Sequence, residues 1–95
     1  MRYADVLDAD VFDGKLCVLF NFPVSFASRG YFEIGGFKFC AKDGDWIVDR
    51  KRLTSSVVWD VPKDFQIKSN EHWKIQGLYD HNQVRILSEG RFCSK

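Results

Sequence analysis

Apolar and polar residues alternate along much of this chain, and Asp-Gly, Gly-Gly, Pro or His-Asn breaks the alternation at short intervals. A period of two marks strands with one face toward a core, and a two-residue break between two such runs marks a hairpin. A turn at Asp13-Gly14 sets Val11 opposite Leu16, Ala9 opposite Val18 and Leu7 opposite Phe20, all on one face. The other face pairs Asp10 with Cys17 and Phe12 with Lys15, with Leu19 beside them. Gly35-Gly36 is the clearest turn. It pairs Ile34 with Phe37 and Phe32 with Phe39 on the inner side, and Glu33 with Lys38 and Tyr31 with Cys40 on the outer. Apolar and charge pairing agree there on a single register. Asp43-Gly44 is expected to extend the same sheet, with Ala41 opposite Trp46 and Phe39 opposite Val48.

Asp49-Arg50-Lys51-Arg52 then reads as an exposed loop, and Thr54 to Val61 as a β-branched strand with Val57, Trp59 and Val61 inward. Pro62-Lys63-Asp64 turns the chain back into Phe65 and Ile67. A turn at His81-Asn82 pairs Tyr79 with Val84 and Gly77 with Ile86, with Trp73 and Ile75 further along that face; the tail adds a short edge strand through Phe92. No segment repeats apolar residues at helical spacing between caps, so Pro23 to Arg29 and Ser69 to His72 hold at most a turn of helix. The pattern predicts one all-β domain over residues 1–95, with seven or eight antiparallel strands in consecutive hairpins and little or no helix. The architecture is a small barrel or a two-sheet sandwich, and closure, which removes sheet edges, favours the barrel. The expected core includes Val18, Phe20, Ile34, Phe39, Trp46, Val48, Trp59, Ile75 and Ile86.

Composition narrows the function more than the fold. The 95 residues are 45% apolar and 16% aromatic, which excludes a disordered chain because there is ample apolar surface to offset chain entropy. A formal net charge of +1 gives no global pull on nucleic acid or membrane, though a local patch remains open. No apolar run reaches the roughly 20 residues of a membrane helix, and the N-terminus lacks a signal peptide's apolar stretch, so a cytoplasmic protein is expected. Cys17, Cys40 and Cys93 are too widely spaced for a disulfide framework or a zinc site and are expected to be reduced, mostly buried thiols.

Candidate chemistry is sparse. His72 and His81 have no partners at metal-ligand spacing, no thiol sits at a helix N-terminus, and no serine lies in a G-x-S-x-G elbow. Most aspartates fall in turns, where the carboxylate ordinarily binds its own backbone. Gly35-Gly36 is a hairpin turn with no helix behind it to cradle a phosphate. The expectation is a protein that is not an enzyme, with no catalytic residue, metal or cofactor.

What remains is contact. Cys17, Leu19, Val58, Leu78 and Leu87 fall on faces opposite the predicted core, and an apolar patch bounded by polar residues marks an interface. The expected function is therefore binding to another protein, as an inhibitor, adaptor or immunity-type factor of the kind phages also encode. Tyr31, Arg50, Arg52, Leu78 and Leu87 are the contact candidates, because Trp, Tyr and Arg dominate interface hot spots. Homo-oligomerisation through the same surface is a competing use. The alternative partner is nucleic acid, with Arg50, Lys51 and Arg52 on phosphates, Lys38, Lys42, Arg29 and Lys63 in support, and Trp46, Trp59 and Trp73 as stacking surface.

Overall fold

The two clearest turns form as predicted, for a backbone reason. Asp13 and Gly14 have φ of 54° and 72°, and Gly35 and Gly36 have 60° and 81°. Positive φ at both central residues is the turn geometry that matches strand twist. The computed structural model describes residues 4–26, 29–80 and 82–92. In it β1 (Val6–Phe12) pairs with β2 (Lys15–Phe20), and β4 (Tyr31–Ile34) with β5 (Phe37–Cys40). The remaining strands are β3 (Val24–Phe26), β6 (Asp45–Asp49), β7 (Thr54–Asp60), β8 (His72–Asp80) and β9 (Arg85–Arg91). That makes nine strands among the described residues, where seven or eight were expected.

They form two antiparallel sheets, a sandwich and not a closed barrel. The first has the order β1-β2-β7-β6. The second is built on β8: β9 runs along one edge, β4 and then β3 follow one another along the other, and β5 lies beyond β4. Among the described residues the edges stay open, so closure did not prevail. Leu16, Val18, Phe20, Val57 and Trp59 of the first sheet meet Phe32, Ile34, Trp73, Ile75, Leu78 and Ile86 of the second in one apolar core. Ring pairs bridge the layers, Phe20 to Phe32 at 5.5 Å and Phe32 to Trp59 at 6.0 Å. Such pairs add about 0.5–1.5 kcal/mol each beyond area burial. Of the predicted core, Trp46 and Val48 are only partly buried but pack on it.

The Asp43-Gly44 hairpin does not form. Ala41–Asp43 is a single 3-10 turn, and β6 crosses to the other sheet to pair with β7. Two indoles make the crossing. Trp59 Nε1–H donates to the Cys40 carbonyl at 2.9 Å, and Trp46 Nε1–H donates to the Ala41 carbonyl at 2.7 Å. Gly44 sits where a Cβ would come within 2.4 Å of Val57 Cγ2, so the crossing admits no side chain there without a shift. Trp46 therefore lies opposite Val57, not Ala41.

Two bulges also shift faces. At Leu7 the register slips, so Val6 faces Phe20 and Leu7 is left 51% exposed instead of inward. Gly77 is the second, with φ of 78° and Gly30 packed against it; a Cβ on Gly77 would lie 3.0 Å from Gly30 Cα. Up to Gln76, which faces Leu87, β8 and β9 keep the expected register; beyond it Leu78 faces Ile86 and Tyr79 faces Arg85. The little helix expected at most is not seen among the described residues of the two candidate segments: residues 24–26 are strand and Asn70 has φ of 65°. The return through Phe65 and Ile67 is not a strand, although Phe65 is buried and Ile67 packs on the core. β9 ends at Arg91, with the Phe92 N–H on the Glu71 carbonyl. His81 and Cys93 lie outside the described residues.

Candidate functional site

Side chains that point away from the core of the first sheet form cross-strand rows. Asp8, Leu19, Ser56 and Ile47 make one row, Asp10, Cys17, Val58 and Asp45 the next, and Phe12, Lys15 and Asp60 the third. Leu19, Cys17 and Val58 on the two central strands thus become neighbours, and Ile47 extends them toward the β6 edge. Ile47 and Phe12 are 72% and 75% exposed, the most exposed large apolar side chains among the described residues. This surface is too apolar to be explained as solvated sheet, and no loop among the described residues covers Ile47 or Phe12.

Its border is acidic. Asp8 and Asp10 stand on β1, Asp45 and Asp49 on β6 and Asp60 at the end of β7; of these, Asp60 is paired with Lys15 and Asp49 with Arg52 of the following loop at 3.9 Å. Lys15 donates to Asp60, which raises the pKa of its ammonium above the ordinary lysine value; Asp45 and Asp13 add to that pull.

The outer face of the second sheet is different. Cys40, Tyr31, Gln76 and Leu87 form one row, and Lys38, Glu33, Lys74 and Glu89 the next, with Arg85 and Arg91 further along. Tyr31 is held in place, its hydroxyl 2.5 Å from Gln76 Oε1 and the Lys38 ammonium 4.2 Å from its ring centre. Of the contact candidates, then, Tyr31 and Leu87 share this face and row. Leu78 does not join them: it is 1% exposed, turned into the core by the Gly77 bulge.

Arg50 and Arg52 are exposed in the β6–β7 loop, at the end of the first sheet. Asp49 Oδ1 accepts from the Lys51 and Arg52 N–H groups at 3.0 Å each and shapes that loop. Lys42 and Lys63 stand at the opposite ends of β6 and β7 from this loop, and Lys38 belongs to the other sheet, so they do not reinforce Arg50, Lys51 and Arg52. The tryptophans are not surface platforms either. Trp59 and Trp73 are buried and half-buried Trp46 packs on the core.

Compared with family models, with curated proteins and with solved structures, the chain matches none. What its residues can do rests on geometry alone. Among the described residues no group of three or more His, Cys, Asp or Glu is placed to hold a metal ion, and no helix is long and apolar enough to cross a membrane. A hollow of about 420 Å³ opens beside the β1 edge between Ala9, Val11, Phe65 and Ile67, with Asp10 its one ionisable lining group. Cys17 and Cys40 are exposed, against the expectation of buried thiols, because each falls on an outward strand position. The apolar stripe was half legible: Cys17, Leu19 and Val58 read as outward in sequence, but Ile47 went unremarked, since its placement depends on β6 joining β7.

Proposed function

We propose that this protein binds another protein, without catalytic chemistry of its own, and acts by occupying that partner's surface in the manner of a cytoplasmic inhibitor or adaptor. The observation that carries this reading is the outward row structure of the first sheet, in which Leu19, Cys17 and Val58 meet and Ile47 and Phe12 stand exposed. A folded domain gains nothing from leaving such side chains in water, whereas burying a Leu or Ile side chain against a partner contributes about 1.5–3 kcal/mol. A standard interface takes about 800 Å² from each partner, about an eighth of the 6228 Å² of accessible surface here. The contact set proposed from sequence shifts accordingly: Ile47, Leu19, Val58 and Phe12 are central, and Tyr31 and Leu87 belong to a different face.

The test uses the full chain as bait in a lysate of its source, followed by affinity measurement with the purified captured protein. Ile47→Lys and Leu19→Lys should each weaken binding at least tenfold while leaving the melting temperature within a few degrees. Arg50→Glu combined with Arg52→Glu should bind as wild type. If the loop variant loses the partner and the face variants keep it, this reading is wrong. Retention of DNA or RNA at low salt that disappears in an Arg50, Lys51 and Arg52 triple-glutamate variant would put nucleic acid in its place.

A further inference from the structure

We infer that the occupant of this face is an amphipathic α-helix whose apolar stripe is bordered on both sides by lysine or arginine; this rests on the protein-binding reading above. The arrangement of charge across the four strands argues for it. The two central strands supply the apolar positions Cys17, Leu19 and Val58, and the two edge strands supply the acids Asp8 and Asp10 on β1 and Asp45 on β6, with Phe12 and Ile47 extending the apolar surface along those same edges. Three strand spacings separate β1 from β6, about 14 Å. An α-helix with its side chains is about 10–12 Å across, so a helix laid along β2 and β7 touches the apolar centre while its flanks reach both acidic borders. The two cations at its margin, Lys15 and Arg52, do not oppose this, because Asp60 holds the first and Asp49 the second.

Charge also decides against the simplest rival. Two copies joined through this same face would set Asp8, Asp10 and Asp45 of one against those of the other, and like charges brought together across an interface cost several kcal/mol. The near-neutral net charge conceals the preference, since Lys38, Lys74, Arg85 and Arg91 sit on the opposite side of the sandwich, where they outnumber Glu33 and Glu89. A second copy docking by that basic face is the remaining homotypic arrangement, and the experiment detects it.

The probe is a 14-residue leucine–lysine peptide patterned for a helix, titrated into the isotope-labelled full chain. Amide shifts should concentrate on Cys17, Leu19, Ile47 and Val58. Affinity should fall at least tenfold in the double variant Asp10→Lys, Asp45→Lys with an unchanged melting temperature, and again between about 50 and 300 mM salt, where screening shortens the reach of exposed charges. A leucine–glutamate peptide of the same pattern should not bind, and an alternating leucine–lysine peptide patterned for a strand should bind more weakly. Equal binding of the acidic or the strand-patterned peptide, or shifts confined to the Tyr31 and Leu87 face, overturns the inference. So does concentration-dependent self-association, seen by light scattering, that perturbs the same amides. A lysate partner lost in Ile47→Lys yet indifferent to salt and to Asp10→Lys, Asp45→Lys would refute the cationic helix while leaving the protein-binding face standing.

Discussion

Replacing Ser55 with alanine removes one oxygen that ties the two sheets together. Ser55 lies on β7 and is fully buried. Its hydroxyl donates to the Phe22 carbonyl at 2.7 Å and accepts from the Val24 N–H at 2.7 Å. Both partners belong to the segment that leaves β2 in the first sheet and enters β3 in the second, and both are buried. Alanine leaves a donor and an acceptor away from water with no partner. Each orphaned group costs about 1–3 kcal/mol, which for two gives about 2–6 kcal/mol. At roughly 0.05–0.15 kcal/mol per residue the whole fold is worth about 5–14 kcal/mol, so the variant should lose a large fraction of its stability. Urea unfolding should show a lower midpoint with an unchanged slope, and the melting temperature should fall by about 10–30 °C. Ser56→Ala is the control, since Ser56 points outward and should change stability by no more than about 0.5 kcal/mol. A Ser55→Ala loss under about 1 kcal/mol, indistinguishable from the control, would refute the bridge.

Gly77→Ala should cost about 1–3 kcal/mol in urea unfolding, because the residue has φ of 78° and its new Cβ would press on Gly30 at 3.0 Å; a neutral result would mean the bulge can relax. Asp80→Ala should destabilise by a similar amount, since its buried carboxylate accepts from the Asn82 and Val84 N–H groups at 2.9 and 3.0 Å. Amide exchange in that variant should accelerate first at the β8–β9 turn. Asp60 raises the pKa of Lys15, so the pair stabilises the fold from neutral pH up to the ordinary lysine range and is lost as pH climbs through the raised value. The small stability difference between wild type and Lys15→Met should accordingly be flat from neutral pH to about pH 10 and shrink only above it.

Hairpin registers at Asp13-Gly14 and Gly35-Gly36 were readable because a two-residue turn of known geometry and the adjacent alternation specify them within a dozen residues. The pairs Glu33 with Lys38 and Asp10 with Cys17 stand where the pattern put them. Asp43-Gly44 carries the same dipeptide signal and fails, because the indoles of Trp46 and Trp59 cap the Ala41 and Cys40 carbonyls and send β6 to the other sheet. The face of Leu78 was misread for a related reason. A bulge depends on Gly77 meeting Gly30, residues 47 apart in sequence whose contact no local pattern announces.

Sequence alone therefore determined the class, all-β and antiparallel, and at most positions which side chains face inward, because alternation is a property of the strand's own geometry. Which outward side chains become neighbours was decided by tertiary structure. Cys17 meets Val58 only because β2 pairs with β7, and Ile47 joins their face only because β6 adds beyond it. Those strands are distant in the chain, and their pairing is selected by how well Phe20, Phe32, Trp46 and Trp59 pack between the sheets. The same choice of partners gathers Asp8, Asp10 and Asp45 on one face of the sandwich and Lys38, Lys74, Arg85 and Arg91, outnumbering Glu33 and Glu89, on the other, a separation that a net charge of +1 hides, since a sum over the chain carries no information about position.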